Sequence, residues 1–232
     1  MLKQKYFLAD IFILSAEKQP IKLSWRKIEW LLFKLIFKIQ EHYHFWLFWF
    51  YGNIVTQKQL ALLNIPHGKC KFYGVAHFYK TNNGKISIGN NFVCNSGSLG
   101  PGIASSECKF IADRGSIFIG NNVGISSSII FSNENIIIED HVAIGAGCMI
   151  FDTNFHSLDP KIRGTEKDTI MQKNAPVTIC KHAFIGARSI ITKGVTIGEN
   201  SIIAAGSVVV KDIPANQIWG GNPAKFIKEL RL

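Results

Sequence analysis

The sequence predicts a mainly β fold, a parallel β-helix of six-residue repeats with an N-terminal helical segment and one long inserted loop. A large apolar residue recurs at every sixth position over two stretches of the chain. Small residues follow many of these positions, and Gly and Asn supply the turns between them. The two stretches are Ile119, Ile125 and Phe131, resuming after one extra residue at Ile138, Ile144 and Ile150, and then Ile179, Ile185, Ile191, Ile197, Ile203 and Val209.

A period of six has a direct structural meaning. Each six-residue unit forms one short strand and one turn, with its apolar residue directed inward and a small residue at the bend. Three units complete a triangular coil of about 18 residues, and successive coils stack as parallel strands about 4.8 Å apart. A β-sandwich with accidental spacing is the competing interpretation, and it does not explain the unbroken series from Ile179 to Val209.

The composition excludes several classes of protein. The chain has 232 residues, of which 47% are hydrophobic and 18% charged, so a disordered or collagen-like chain is excluded. No apolar run suits an ordinary transmembrane helix. Five cysteines without CxxC spacing argue against a disulfide framework or a structural zinc site. Asp10 interrupts a weak signal-like start, which favours a cytoplasmic protein.

The net charge of +10 suits an anionic partner. We find no basic-aromatic recognition motif, and the excess charge is spread along the chain, so no nucleic-acid partner is expected. Coenzyme phosphates and a membrane surface account for the charge better.

The chain divides by composition into four segments. Residues 1–51 form an aromatic and basic helical segment, 52–84 a lead-in, 85–214 the β-helix with its inserted loop at 151–176, and 215–232 a C-terminal tail. From Ser24 to Tyr51 there is neither Gly nor Pro, which predicts a helix that Gly52 ends. This helix either packs on the fold or another subunit, or lies at the cytoplasmic membrane face through residues 24–51.

Three runs in the repeat region resemble the hexapeptide-repeat acyltransferases. They are IGNNVGI, IEDHVAIGAGCMI and IGARSIITKGVTIGENSIIAAGSVVVKDIPANQIWGGNPAKFI, and the resemblance covers about residues 65–232. It is strongest to sugar O-acetyltransferases of the maltose, galactoside and capsular-polysaccharide type. It implies a left-handed parallel β-helix and a homotrimer, with acetyl-CoA bound between adjacent subunits.

The inserted loop holds one histidine, His156, in the run DTNFHSLDP. The resemblance assigns it the role of catalytic base. An imidazole titrates near neutral pH, so it can accept a proton from a sugar hydroxyl and pass it to the leaving thiolate. Asp152 is the candidate that orients the histidine, although a backbone carbonyl would serve equally well. Asp159 is expected to shape the loop, and Arg163 either contacts substrate or is solvated.

The resemblance also implies the cofactor and acceptor residues. Small residues would lie along the pantetheine arm, an aromatic beside the thioester, and lysines at the phosphates. The implied cofactor residues are Phe184, Ala187, Ala205, Lys211, Lys225 and Lys228. The expected acceptor residues are Ser126, Ser128, Asn133, Glu134 and Arg163. The acidic acceptor residue of the galactoside enzymes is replaced by Asn133, so a different acceptor is expected.

A metal site is not expected. Some hexapeptide-repeat proteins bind zinc through three histidines, two of them close in sequence, whereas His141, His156 and His182 are widely spaced. The sequence thus predicts acetyl-CoA-dependent O-acetylation of a sugar hydroxyl in surface polysaccharide or lipopolysaccharide assembly. N-acetylation of an amino sugar, acetylation of a xenobiotic and a non-catalytic scaffold are the alternatives.

Overall fold

A computed structural model describes residues 25–81, 83–97 and 106–231. The first 24 residues of the predicted N-terminal segment lie outside this part of the chain. The described residues form one long helix followed by nineteen strands, and by contacts they divide into two units, with the boundary after Tyr43.

Seventeen short strands pass in turn through three parallel sheets, so that every third strand returns to the same sheet. Sheet 1 contains β1 (Cys70–Tyr73), β4 (Phe92–Asn95), β7 (Gly124–Ser126), β10 (Ala143–Ile144), β13 (Phe184–Ile185) and β16 (Ile202–Ile203). Sheet 2 contains β2 (His77–Lys80), β5 (Lys109–Ala112), β8 (Ile129–Ser132), β11 (Met149–Phe151), β14 (Ile190–Ile191) and β17 (Val208–Val209). Sheet 3 contains β3 (Lys85–Ile88), β6 (Ser116–Ile119), β9 (Asn135–Ile138), β12 (Val177–Ile179) and β15 (Thr196–Ile197).

The last two strands close the final coil. The strand β18 (Gln217–Gly220) continues sheet 1 in parallel, and β19 (Lys225–Glu229) pairs with it antiparallel. The side chain of Trp219 on β18 is buried at this end, and the ring of Phe226 meets it edge-on at 6.1 Å. In sheet 1 the final coil therefore ends in an antiparallel hairpin rather than in another parallel strand.

The interior consists of stacked columns of apolar side chains, one per sheet. The first coils place phenylalanines there, and the rings of Phe78 and Phe110 stack with centroids 4.7 Å apart. Later coils fill the same columns with isoleucine and valine, all fully buried. Burial of apolar surface over the whole length of the coil is what holds these very short strands together.

Phe131 departs from the predicted inward series. Its neighbour Ile130 is fully buried and takes the place in the sheet 2 column, while Phe131 points outward and is only partly buried. The reason is a spacing of five between the buried residues Ile125 and Ile130, where Ser127 adopts a left-handed conformation with φ of 43°. The six-residue count alone does not register such a shortened turn.

The corner between sheets 1 and 2 (corner 1–2, at 145–148, 186–189 and 204–207) is tightly stacked. A Cβ placed on Gly186 would lie 2.5 Å from the amide nitrogen of Ala205, and one on Gly145 would lie 2.6 Å from that of Ala187. Glycine is required at both positions because the next coil lies directly on the bend.

The helix α1 (Trp25–Leu62) continues ten residues past Gly52, where the sequence predicted its end. Its later part caps the first coil: Asn53 Nδ2 donates to the carbonyl of Phe72 at 2.7 Å, and Asn53 Oδ1 accepts from the Phe72 amide at 3.1 Å. Because β1 and β2 also lie within 52–84, this segment is part of the fold and not only a lead-in.

The part of α1 before residue 44 belongs to the other unit. Apolar side chains are exposed at almost every position from Trp30 to Ile39, and the Lys34 ammonium lies 3.6 Å from the Trp30 ring centroid. This stretch therefore has no single apolar stripe. Among the described residues, no helix combines the length and apolar character needed to cross a membrane.

Candidate active site

The inserted loop leaves the coil after β11 and returns at β12, at the corner between sheets 2 and 3 (corner 2–3). Its two ends are held together by backbone pairing: the Ala175 amide donates to the Asp152 carbonyl at 2.9 Å, and the Asn154 amide donates to the Lys173 carbonyl at 3.1 Å. These hydrogen bonds fix the two ends of the long polar loop. Side chains near such a fixed base can be positioned precisely enough for catalysis or binding.

His156 lies just beyond the fixed base of the loop. Its Nδ1 is 2.8 Å from Oδ2 of Asp168, and the imidazole side chain is 65% exposed while that of Asp168 is only 6% exposed. Phe155, with φ of 62°, makes the backbone turn that projects the ring from the loop. The pair thus combines an accessible imidazole with a buried carboxylate.

Asp168 is held as a carboxylate by its surroundings. The Gly164 amide donates to Oδ2 at 2.8 Å and the Ser157 amide donates to Oδ1 at 2.6 Å. These two amides, followed by the His156 imidazole, lower the pKa of the Asp168 carboxyl from 3.8 to about 2. At neutral pH this carboxylate only accepts hydrogen bonds, so His156 carries its proton on Nδ1 and presents the Nε2 lone pair outward.

Asp152 does not orient His156, contrary to the sequence prediction. Its fully buried carboxylate accepts from the Ser132 hydroxyl at 2.7 Å, the Asn133 amide at 2.7 Å and the Glu134 amide at 2.9 Å. These donors are the last residue of β8 and the two residues that follow it before β9. Asp152 therefore fastens the base of the loop to the coil below it.

Arg114 ties the far side of the loop to corner 2–3. Its guanidinium lies 3.4 Å from the Thr169 carbonyl, one residue beyond Asp168. In the amide orientation that satisfies both its nitrogen and its oxygen, Gln172 donates to the carbonyl of Phe155 at 2.8 Å and accepts from Arg114 at 2.7 Å. Arg114 and Gln172 together therefore contact the residues adjacent to both members of the His156–Asp168 pair.

The predicted acceptor residues do not converge on His156. Ser128 is buried, and its hydroxyl donates to the carbonyls of Ser126 and Gly145 while accepting from the Cys148 amide, so its role is structural. The side-chain amide of Asn133 lies among Asp113, Arg114 and Gln172 and donates to the Gln172 carbonyl oxygen at 2.5 Å. These contacts account for both polar side chains without a ligand.

The remaining acceptor candidates are distributed over the loop and two corners. Arg163 donates to the carbonyls of Ser157 at 3.1 Å and Leu158 at 3.2 Å, within its own loop. Ser126 lies at the end of β7 in sheet 1 and accepts from the Asn95 amide at 3.2 Å. Glu134 is exposed at corner 2–3.

The predicted cofactor residues lie mainly along corner 1–2. Ala187 and Ala205 stack there, and Phe184 is exposed on the outer face of sheet 1 two residues before Gly186. Lys225 opens β19 opposite Gly220, at the same end of the sheet. Within one chain the loop and this corner are on opposite sides of sheet 2.

The other two lysines differ in position. Lys211 follows β17 at corner 2–3, where its ammonium lies 5.0 Å from the Trp219 ring centroid, and Lys228 is exposed opposite Ile218. Within the described ranges, no group of three or more His, Cys, Asp or Glu side chains is arranged to hold a metal ion.

Comparisons with known proteins show what the chain resembles. The family model for the hexapeptide repeat of succinyl-transferase matches residues 176–211. The galactoside O-acetyltransferase of Escherichia coli is 34% identical over 116 residues, covering 48% of this chain and 56% of that protein. The galactoside O-acetyltransferase of Lactococcus lactis is 35% identical over 121 residues, covering 49% and 56%. The chain thus spans just over half the length of these curated relatives.

A solved structure shares the fold. The N-acyltransferase AntD from Bacillus cereus, crystallised with dTDP and 3-hydroxybutyryl-CoA, superposes with a TM-score of 0.58 at 24% identity, covering 75% of this chain and 88% of that one. The repeat region of the chain is similar to the hexapeptide-repeat acyltransferases, and its coil is the left-handed parallel β-helix expected from the sequence. The curated proteins that it resembles include sugar O-acetyltransferases.

Proposed function

We propose that the protein transfers an acetyl group from acetyl-CoA to a sugar hydroxyl, with His156 as general base. The observation that carries this proposal is the 2.8 Å contact between His156 and a buried, ionised Asp168. A carboxylate in this position keeps the proton on Nδ1 and stabilises the imidazolium that forms during the reaction. Asp168 is thus the orienting residue that the sequence analysis assigned to Asp152.

The reaction proceeds by direct transfer. Nε2 of His156 removes the proton of the acceptor hydroxyl as its oxygen attacks the thioester carbonyl carbon. The resulting tetrahedral intermediate expels the thiolate as the carbon–sulfur bond breaks, and the imidazolium returns the proton to sulfur. The products are an O-acetyl sugar and coenzyme A. General-base assistance of this kind contributes about 10²–10⁴ in rate.

We further infer that the working unit is a homotrimer with a shared site. The loop with His156 is at corner 2–3, whereas Ala187 and Ala205 are at corner 1–2. On the side of sheet 2 toward corner 1–2, the first residues of β8 and β11, Ile129 and Met149, are exposed and form an apolar face suited to a neighbouring copy. Packing by this face around a threefold axis would bring corner 2–3 of one copy against corner 1–2 of the next.

The relatives favour an acceptor of the saccharide class, since both named here are galactoside O-acetyltransferases. The exposed apolar side chains from Trp30 to Ile39, together with Lys34 and Lys38, support peripheral contact of α1 with an anionic membrane. Surface polysaccharide or lipopolysaccharide assembly at the cytoplasmic membrane face joins the two observations, because it supplies lipid-linked saccharides to an acetyl-CoA-dependent enzyme.

The test is acetyl transfer by the purified full chain and its His156→Ala variant, with a panel of sugars, amino sugars and hydroxylated drugs. We expect O-acetyl sugars as products and a loss of about 10²–10⁴ in kcat for the variant. His67→Ala, which removes an exposed histidine near the first coil, is the matched control and should retain full activity. Full activity of His156→Ala, with the fold intact, would contradict the mechanism.

Two further results would redirect the proposal. Preferential acetylation of amino sugars would establish N-acetylation instead, and failure to bind acetyl-CoA at millimolar concentration would favour a scaffold. For the shared site, inactive His156→Ala subunits mixed with inactive Lys225→Glu subunits should regain activity. Some sites then combine an intact His156 from one subunit with an intact Lys225 from the next. Mixtures that stay inactive while forming trimers would exclude a shared site.

A further inference from the structure

We propose that the acceptor extends beyond the sugar that is acetylated, and that its adjoining sugar units lie in a groove on the outer face of sheet 2. This inference rests on the proposed acetyl transfer and specifies the substrate class of the same site. Nothing in the repeat pattern indicates the groove, because it depends on Phe131 pointing outward.

The groove has a volume of about 440 Å³ and follows corner 2–3 on the N-terminal side of the loop. This size lies within the roughly 300–1,000 Å³ range of small-molecule sites. Its apolar wall contains Tyr79, Ile111 and Phe131, and its polar rim contains Lys80, Thr81 and Asp113.

The apolar wall leads directly to the catalytic histidine. Tyr79, Ile111, Phe131 and Phe151 are register partners on successive strands of sheet 2. Three strand spacings separate the first from the last, a length of about 14 Å. The ring of Phe155, the residue before His156, lies 4.9 Å from that of Phe131 and 5.5 Å from that of Phe151. This wall is longer than a single pyranose ring.

The lining suits a saccharide better than a lipid chain. The carbon–hydrogen faces of a sugar ring stack on aromatic rings, while its hydroxyls need hydrogen-bond partners at the edge. Tyr79 is 52% exposed and offers both a ring face and a phenol. On the rim, the Thr81 hydroxyl accepts from the Arg114 amide at 3.2 Å and Asp113 Oδ2 lies 3.7 Å from the Arg114 guanidinium. The hydroxyl still has its own proton to donate and the carboxylate has further acceptor positions, so both can bond sugar hydroxyls.

The groove also lies on the appropriate side of the loop. The implied cofactor residues Ala187 and Ala205 follow the loop in the later coils, whereas the groove is formed by strands β2, β5 and β8 in the earlier coils. Coenzyme and an extended acceptor would therefore approach His156 from opposite ends of the coil and would not compete for space.

The test compares acceptors of increasing length on the full chain. The probes are the best monosaccharide acceptor from the panel and the di- and trisaccharides that end in the same sugar. Wild type should use the longer acceptors with about ten-fold higher kcat/KM, and Tyr79→Ala should lose that advantage while its rate with the monosaccharide stays unchanged. Phe118→Ala removes a similarly exposed ring from sheet 3, outside the groove, and should leave both rates unchanged.

Several outcomes would overturn the groove. These are equal kcat/KM for all lengths, an equal loss with the monosaccharide in Tyr79→Ala, or dissociation of the assembly by Tyr79→Ala, which would make the groove a contact between copies. Binding of trisaccharides that end in each sugar of the panel is measured by NMR without acetyl-CoA, which separates this proposal from the proposed function. Binding that Tyr79→Ala abolishes supports the groove even if no acetyl transfer is found, and absence of binding overturns it.

Discussion

Oδ2 of Asp168 lies 2.8 Å from Nδ1 of His156, although the two residues are twelve positions apart in an irregular loop. The carboxylate also accepts hydrogen bonds from the amides of Ser157 and Gly164, so the same side chain orders the loop and orients the imidazole that we propose as the base. The proposed mechanism therefore couples catalysis and loop conformation at one residue, and the two contributions can be separated by experiment.

We expect Asp168→Asn to lower kcat by about 10²–10⁴, because an amide can no longer hold the proton on Nδ1 and stabilise the imidazolium. The measurement is acetyl transfer at saturating substrates. Asp159→Asn, a matched change at an exposed turn of the same loop, should have little effect. Full activity of Asp168→Asn would contradict the orienting role.

The stability difference between wild type and Asp168→Asn should depend on pH. The pKa of Asp168 is lowered from 3.8 to about 2 in the folded protein, so its ionised form stabilises the fold above pH about 4. This contribution is lost as the pH falls toward 2. Urea unfolding at pH 7 and at pH 3 measures this. The difference in free energy of unfolding between wild type and Asp168→Asn should be smaller at pH 3, and an equal difference at both pH values would contradict the prediction.

Asp152→Ala is expected to act on stability instead. It leaves the Ser132 hydroxyl and the amides of Asn133 and Glu134 without their acceptor at a buried position, at a cost of about 3 kcal/mol in the free energy of unfolding. Urea unfolding measures this cost. The folded fraction should retain most of its kcat, and a selective loss of kcat at unchanged stability would restore Asp152 to the catalytic role.

Arg114 is expected to be a positioning residue. Its loss frees the Thr169 carbonyl and the Gln172 amide, and with them the segments next to Asp168 and His156. Small displacements of a catalytic group are costly, so we expect Arg114→Ala to lower kcat about ten-fold with an unchanged KM for acetyl-CoA. Lys85→Ala, which removes an exposed cation from sheet 3, is the control. A rise in KM at constant kcat would point to direct substrate contact.

Membrane contact through α1 is tested by flotation with anionic vesicles. The triple change Phe33→Gln, Ile36→Gln and Phe37→Gln removes exposed apolar side chains and should weaken binding at least ten-fold, since each buried ring or chain contributes about 1.5–3 kcal/mol at most. High salt should weaken it further, because each lysine near the surface adds about 1 kcal/mol. Leu62→Gln with Val210→Gln is the matched control. Unchanged flotation of the triple variant would exclude this surface.

The coil was predictable from the sequence because its signal is local and periodic. Isoleucine at every sixth position indicates the buried columns independently of the rest of the chain. The six-residue spacing did not predict the five-residue step between the buried residues Ile125 and Ile130. The predicted end of α1 at Gly52 was too early. Glycine disfavours a helix interior, but the helix continues to Leu62, where it packs against the first coil.

The partner of His156 was not predictable in the same way. Asp152 and Asp159 flank His156 in the sequence, but in a loop without periodicity the fold alone decides which carboxylate is close in space. Asp168 and Arg114 carry no motif or spacing signal. The backbone turns at Phe155 and Gly164, visible in the structure, accompany the approach of Asp168 to the histidine, whereas Arg114 contacts the loop from corner 2–3.

The helix side chains Asn53, Thr56 and Gln59 accept hydrogen bonds from the backbone amides of β1, the following turn and β2. Those amides would otherwise form a bare strand edge, ready to recruit a strand from another molecule. At the opposite end, β19 runs antiparallel and stops the stack. A solenoid whose repeats could in principle continue without limit is thus capped at its first coil, where the amides that could recruit a strand from another copy are already bonded.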